Sequence, residues 1–377
     1  MYDYIDTQEQ LTHFVEVASQ YDWIAIDTEF IREKTYYSDL SLIQIATETQ
    51  LACIDPLAIE DISVLKALLF NPKITKVLHA AHQDQEIFYN IFDEVPSPIF
   101  DTQIAAAVLG IGEQVGYAKL IESILGVTLA KTQSRTDWSR RPLSNKQLDY
   151  AIDDVRYLRE AYPLIIQKLT QQNRLSWLSD DFKHYTQAET FNPKPQAMWR
   201  KIKGHQRLKP LPLTIVRDLA AWREEQAIKE NRPRRWIITD DIIMDLAIQQ
   251  PKDKQAITEM RGAGNQHQRN ASIWLKIIQS AQALPKSELL TLPRFTKISK
   301  KQSIIIDLLM AAVKEQARIH NVPPALITSR KKLEKMLADK KTQLPNDWRG
   351  KLVNEKLRDI LEGENFSVEN KSTVHIR

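Results

Sequence analysis

The second half of the chain contains an internal repeat. At a constant offset of 90 residues, "LAAWREEQAIKENRPRRWIIT" (219–239) aligns without a gap with "LMAAVKEQARIHNVPPALITS" (309–329). Each copy has helical spacing, then a turn that contains proline, then helical spacing again. Self-similarity at one offset indicates two copies of a single helical module, so both copies are expected to adopt the same fold.

The first half alternates strand and helix patterns. Strands are predicted for "WIAIDTEF", "LSLIQIAT", "LACIDP" and "KITKVLHA", and helices for "ISVLKALLF", "DQEIFYNIF", "FDTQIAAAVLG" and "SNKQLDYAIDDVRYLREAYPLIIQKL". This order favours an α/β domain in which helices flank a mixed sheet. Prolines in "NPKPQ" and "LKPLP" mark a junction. We therefore predict an α/β domain over 1–200 and all-α domains over 205–288 and 295–377.

Charge is distributed unevenly between the two halves. Residues 1–200 hold 18 Lys+Arg against 28 Asp+Glu, a net charge of −10, whereas residues 201–377 hold 34 against 20, a net charge of +14. Acidic sites bind cations and basic surfaces bind polyanions, so a division of labour is one interpretation. The alternative is that the modules differ only in surface charge.

Several classes of protein are disfavoured by composition. No apolar run approaches the ~18 residues needed to span a bilayer, and the acidic N-terminus resembles neither a signal nor a transit peptide. The single cysteine, Cys53, lies in "LACIDP" and is predicted to be a small buried strand residue. One cysteine allows no internal disulfide and no cysteine-based zinc site, which is consistent with a cytoplasmic protein.

Acidic side chains recur at three places in the first half. Asp27 and Glu29 are two residues apart at the end of a predicted strand and therefore point to one side of it. Asp84 lies at the entry of a helix. Tyr150 and Asp154 share one face of the long helix, four residues apart. Alternatives are a solvated strand end for the first pair and a helix cap for Asp84.

Together these carboxylates predict a divalent metal site. Hard oxygen ligands suit Mg²⁺ or Mn²⁺, and a pair of such ions would serve phosphoryl transfer. Zn²⁺ fits less well because no Cys/His cluster accompanies the acids. His79 and His82 flank the predicted site, and we interpret both as structural or substrate-contacting residues rather than as ligands.

Three stretches resemble the exonuclease motifs of the DEDD superfamily: "IAIDTEF", "VLHAAHQDQEIF" and "YAIDDVRYL". The Tyr150-x-x-x-Asp154 spacing is similar to that of its DEDDy branch. Within that branch, "DTQIAA", "KTQSRTDWSRRPLS" and the helical repeats resemble the ribonuclease D family over essentially the whole chain. The repeats resemble HRDC domains, and the second copy is the more diverged because it has Ala312 where the first has Trp222.

The resemblance implies a ribonuclease-H-like exonuclease domain followed by two HRDC-like domains. It implies hydrolysis of RNA from the 3′ end to 5′-mononucleotides, with transfer RNA precursors as substrates. Carried over residue by residue, it makes metal ligands of Asp27, Glu29, Asp84 and Asp154, and it makes Tyr150 the residue that orients the attacking water. All four acids are present, which disfavours a non-catalytic RNA-binding adaptor. A DNA exonuclease remains the alternative enzyme.

Six further residues are candidate substrate contacts: Phe30, His79, Arg135, Trp138, Arg140 and Arg141. Phe30 either stacks on the terminal base or fills the core at the end of its strand. The basic loop "RTDWSRRPLS" either clamps phosphates or is simply solvated. The basic runs "NRPRRW" and "SRKKLEK" occupy matching places in the repeats and suit phosphate contacts. We expect residues 205–377 to supply much of the RNA affinity and none of the chemistry.

Overall fold

A computed structural model describes residues 2–129, 136–192, 194–260, 264–292, 298–338, 346–363, 366–369 and 373–376 of the 377-residue chain. The chain forms two compact units. The first comprises Met1–Glu29, Leu40–Gln187 and Phe295–Arg377, and the second comprises Phe30–Asp39 and Ala188–Arg294. The domain limits predicted from the sequence follow the internal repeat rather than these two units, and they stay a prediction.

The sheet of the first unit has six strands: β1 Asp3–Ile5, β2 Trp23–Ile31, β3 Asp39–Ala46, β4 Leu51–Ile54, β5 Thr75–Leu78 and β6 Ile99–Asp101. Their order is β1-β4-β3-β2-β5-β6. The pairs β1/β4, β2/β5 and β5/β6 are parallel and β3/β4 is antiparallel, which confirms the predicted mixed sheet. The short strands β1 and β6 were not predicted, because three residues carry too little periodicity to be recognised.

Helices accompany this sheet over the first 187 residues: α1 Gln8–Ala18, α2 Lys66–Leu69, α3 His82–Phe92, α4 Thr102–Val108, α5 Tyr117–Leu125, α6 Asn145–Gln171 and α7 Ser179–Tyr185, with 3₁₀ turns at Ile62–Leu65 and Leu175–Leu178. The long helix α6 begins at a capping box in which Ser144 and Gln147 satisfy each other's backbone N–H groups. Its buried face includes Ala151, Val155 and Leu158, as the apolar spacing predicts.

The second unit is helical: α8 Ala188–Phe191, α9 Pro210–Lys229, α10 Arg234–Ile237, α11 Asp240–Gln249, α12 Lys254–Thr258 and α13 Asn265–Ala283, with 3₁₀ turns at Pro195–Lys201 and His205–Arg207. The second unit also includes residues 30–39, which directly follow Glu29 in the chain. The buried Tyr36 donates a hydrogen bond to Glu224 at 2.5 Å and accepts one from Arg234 at 3.0 Å. The amide oxygen of Asn231 accepts from the Tyr36 N–H at 3.0 Å. These bonds anchor the segment to the helical module.

The second copy of the repeat contains α14 Lys300–Ile319, α15 Pro324–Ile327, α16 Arg330–Ala338 and α17 Trp348–Glu362. The helices α14 and α15 begin and end 90 residues after α9 and α10, and α16 begins 90 residues after α11, so the predicted repeat is confirmed. One detail differs from the all-α prediction, because the strands β7 Phe366–Glu369 and β8 Thr373–Ile376 form an antiparallel hairpin.

Unlike the first copy, the second copy belongs to the same compact unit as the sheet. The rings of Trp177 and Trp348 stack with centroids 4.2 Å apart. Arg349 donates to both carboxylate oxygens of Asp181, at 2.6 and 2.7 Å, and to the carbonyl of Leu326 at 2.8 Å. The second copy therefore contacts the α/β domain directly through Trp348 and Arg349.

Two expectations about composition can be checked against the fold. Cys53 is fully buried in β4, as predicted. Among the helices that the structure describes, none has the length and apolar character needed to cross a bilayer.

Candidate active site

Strand β2 presents two acids on one side. Alternation along the strand directs Asp27 and Glu29 the same way, whereas Thr28 between them is buried on the other side. Ligand oxygens of Asp27, Glu29 and Asp154 all lie within 4.8 Å of one another. The prediction that the first and third motifs converge is therefore met in the structure.

Helix α6 supplies the third motif. Asp154 lies one turn after Tyr150, so both residues occupy the same helical face. The ring of Tyr150 lies 6.3 Å, centroid to centroid, from that of Trp138, which is buried in the core. In the described part of the chain the Tyr150 hydroxyl makes no hydrogen bond, although the charges of Asp154, Glu29 and Asp27 all act on it.

Asp84 is not one of the three acids whose ligand oxygens lie within 4.8 Å of one another, but its charge acts on both Asp27 and Glu29. It lies in the first turn of α3 and is buried, and the Thr28 hydroxyl donates to its carboxylate at 2.5 Å. The backbone before α3 is anchored by Asp101, which accepts from the N–H groups of Ala80 and Ala81 at 3.1 and 3.0 Å. Asp101 also caps α4, the helix predicted from "FDTQIAAAVLG".

Burial is the largest cause that raises the pKa values of all four acids, and neighbouring negative charges add to it. Burial, followed by the charges of Asp154 and Asp84, raises the pKa of Glu29 to about 8. Burial likewise raises the pKa of Asp154 and of Asp84 to about 7, and it raises that of Asp27 well above its usual value. Carboxylates so close together bind protons or cations strongly, because either neutralises their charge.

Two tyrosines lie in the same negative field. Burial and then the charge of Asp154 raise the pKa of Tyr150 to about 12, so its hydroxyl keeps its proton at neutral pH. Burial and the charges of Asp154 and Asp27 also raise the pKa of Tyr117. The Tyr117 hydroxyl donates to the Asp153 carbonyl at 2.9 Å. Sequence reasoning missed Tyr117, because nothing in its local pattern relates it to α6.

The candidate substrate contacts lie in different environments. The two ring nitrogens of His79 contact the Thr102 hydroxyl and the Val115 carbonyl, each at 3.0 Å, so the fold engages both. Trp138 is 3% exposed. Arg141 forms hydrogen bonds to both carboxylate oxygens of Asp55, at 2.5 and 2.7 Å.

The remaining three candidates are Arg140, Arg135 and Phe30. Arg140 is exposed, and Arg135 lies outside the described residues. Phe30 is half-buried, and strand alternation directs it away from the side that carries Asp27 and Glu29. Substrate contact by these residues stays a prediction.

Comparisons with known proteins agree with this arrangement. Residues 2–172 match the 3′-5′ exonuclease family and residues 213–278 match the HRDC domain. Among solved structures, Escherichia coli RNase D, described as an exoribonuclease involved in structured RNA processing, superposes with a TM-score of 0.85 at 30% identity. That superposition covers 96% of this chain and 99% of the other.

Two sequence relatives are similar to this chain over most of its length. Ribonuclease D of Bartonella henselae is 37% identical over 91% of this chain and 86% of the relative. Ribonuclease D of Acidiphilium cryptum is 36% identical over 94% of this chain and 92% of the relative. Matches of this extent, together with the matching exonuclease and HRDC families, show that the chain belongs to the ribonuclease D family of 3′-5′ exonucleases.

Proposed function

We propose that this exoribonuclease is metal-dependent and removes 5′-mononucleotides from the 3′ ends of RNA. The observation that carries the proposal is the convergence of Asp27, Glu29 and Asp154 within 4.8 Å. Asp84 is bonded to Thr28, and its charge acts on Asp27 and Glu29. The proposed ligands of two divalent ions, Mg²⁺ or Mn²⁺, are Asp27, Glu29, Asp84 and Asp154.

The donor set fits hard divalent cations. All of the proposed ligand atoms are carboxylate oxygens, which suit such cations. His79, which directly follows β5, has both ring nitrogens engaged by Thr102 and Val115. The raised pKa values indicate that negative charge on these carboxylates is poorly stabilised by their surroundings. Bound cations would supply the positive charge that stabilises it. Bound there, two ions would stabilise the attacking and leaving oxygens of phosphodiester hydrolysis.

Tyr150 is proposed to orient the attacking water. Because its pKa is about 12, it cannot act as a general base at neutral pH, but its hydroxyl can donate a hydrogen bond. Tyr150 lies one helical turn before Asp154, and its ring is 6.3 Å, centroid to centroid, from that of the buried Trp138. Correct orientation of a nucleophile contributes to the rate without proton transfer to the protein.

The proposed substrates are RNAs with single-stranded 3′ extensions, transfer RNA precursors among them. Family membership and the HRDC match support RNA as the polymer. The net charge of +14 over residues 201–377 supports polyanion binding outside the acidic domain. We further propose that the protein works in the cytoplasm, on the basis of its single cysteine.

A nuclease assay tests these statements together. A labelled stem-loop RNA with a 3′ tail is incubated with Mg²⁺ or Mn²⁺, with a chelator, and alongside a DNA of the same sequence. We expect 5′-mononucleotides, shortening from the 3′ end that stops near the stem, no product with chelator, and a preference for RNA. Equal or faster degradation of the DNA would favour the DNA exonuclease instead.

Two adjacent positions provide a matched pair of variants. Asp27→Asn removes one proposed ligand and is expected to abolish hydrolysis while circular dichroism stays unchanged. Asp153→Asn removes an acid next to the site that is 37% exposed and paired with Arg156, and we expect it to retain activity. Full activity of Asp27→Asn at saturating metal would refute the proposed site.

A further inference from the structure

The first helical module contains an open pocket of about 370 Å³ that is separate from the carboxylates. It is lined by Lys201, Arg223, Pro233, Arg234, Arg235, Trp236 and Asp240. Every lining residue belongs to the second compact unit. Four of the seven are cationic and one is acidic, so the pocket is positively charged.

The buried cation of the pocket has an unsatisfied donor. Arg223 is only 4% exposed, and its terminal nitrogen donates to the Ile238 carbonyl at 3.2 Å and to Asp240 at 2.6 Å. Its Nε has no hydrogen-bond partner among the described residues. This nitrogen is itself inaccessible to solvent, so Arg223 lines the wall of the pocket without offering this donor to a ligand.

Two further cations and an aromatic ring stand at the surface of the pocket. Lys201 and Arg235 are exposed, and their side chains form no ion pair with any residue that the structure describes. Arg234 is instead neutralised by Glu224. Trp236 is 51% exposed, which is unusual for the largest apolar side chain. An exposed ring beside free cations offers a stacking surface next to a phosphate site.

In the second copy of the repeat, the positions that correspond to Arg235 and Trp236 have other side chains and other surroundings. The positions 90 residues after Arg235 and Trp236 are Ala325 and Leu326. Leu326 packs on the core of the α/β domain, and its carbonyl accepts from Arg349. The second copy thus has neither the cation nor the tryptophan, and uses this position for packing within its own unit.

We propose that this pocket binds one nucleotide of a single-stranded RNA segment. The base stacks on Trp236, and its phosphate contacts Arg235 and Lys201. Stacking on an exposed ring requires an unpaired base, so duplex RNA is excluded from this contact. The inference rests on RNA being the substrate, and it assigns to the first module a specific contact beyond general charge attraction.

Binding of the full-length protein to RNA tests the proposal. Fluorescence anisotropy with labelled single-stranded RNA, in chelator, measures affinity while a gel confirms that the RNA is intact. We expect Trp236→Ala to weaken binding by about tenfold, as for loss of one stacked base, and Trp236→Tyr to retain most of the affinity. Arg235→Ala should reduce the slope of log K against log salt by about 0.7.

The controls separate a specific site from general charge attraction. Lys252→Ala removes an exposed cation of the same unit outside the pocket and should weaken binding less than Arg235→Ala. Duplex RNA should bind the wild type and Trp236→Ala equally. Equal affinity of these two proteins for single-stranded RNA would overturn the proposal, as would an equal loss for duplex RNA. Failure of the wild type to hydrolyse RNA with metal would instead count against the proposed function.

Discussion

Asp154→Asn is expected to raise the stability of the metal-free protein while abolishing hydrolysis. The folded protein holds Asp154 near Asp27 and Glu29, and burial raises its pKa to about 7 from a usual value of 3.8. Linkage between proton binding and folding converts this difference into a cost of ~2 kcal/mol at pH 5 and ~4 kcal/mol at pH 8. An uncharged asparagine of nearly the same size does not carry that cost.

The sign of the pH dependence follows from the direction of the pKa change. An acid with a raised pKa binds more protons in the folded state than in the unfolded state between these two pKa values. The free energy of unfolding therefore falls as pH rises from about 4 to about 7. The difference in stability between Asp154→Asn and the wild type should grow by ~2 kcal/mol from pH 5 to pH 8.

Urea unfolding in chelator, repeated at several pH values, measures this difference. Comparing variant with wild type cancels the titration of groups elsewhere in the chain. Adding Mg²⁺ or Mn²⁺ should stabilise the wild type at pH 8 and should stabilise Asp154→Asn much less. Asp153→Asn is the matched control, because it removes a neighbouring carboxylate that is paired with Arg156, and it should retain the response to metal.

One result would refute the reasoning about the burial of Asp154. If Asp154→Asn were less stable than the wild type in chelator at pH 8, the carboxylate would be making a favourable contact that outweighs its burial. A stability difference that did not change with pH would likewise show that the pKa of Asp154 is not raised.

Two further predictions concern the Tyr150 hydroxyl and the contact of the second module. Tyr150→Phe should lower kcat by about 10²-fold in steady-state kinetics, with KM and stabilisation by metal unchanged; loss of the metal response would contradict a purely orienting role. Gly110→Ala should destabilise the protein by ~2–4 kcal/mol in urea unfolding, because Gly110 has φ +79° and an added Cβ would lie 2.1 Å from the Asn321 carbonyl oxygen. Gly116→Ala is its control, with no atom within 4 Å of the added Cβ, and equal effects of the two substitutions would disprove the clash.

The sequence by itself determined the features that local patterns encode. The alternation of β2 directs Asp27 and Glu29 to one side, and helical spacing places Tyr150 and Asp154 on one face of α6. The offset of 90 residues predicts the paired helices of the two modules. Each of these features depends on residues close in sequence, or on direct similarity between segments, so one chain suffices to recognise it.

Only the tertiary structure decided the contacts between distant residues. "SRTDWSRRPL" suggests a basic loop, yet Arg141 is bound to Asp55 and Trp138 supports Tyr150 from the core. The partner of a buried cation is chosen by the packing that removes it from water, and that packing is not encoded in the neighbouring residues. The same reason explains why the repeat alone could not distinguish Trp236, left exposed beside a charged pocket, from Leu326, packed on the α/β domain.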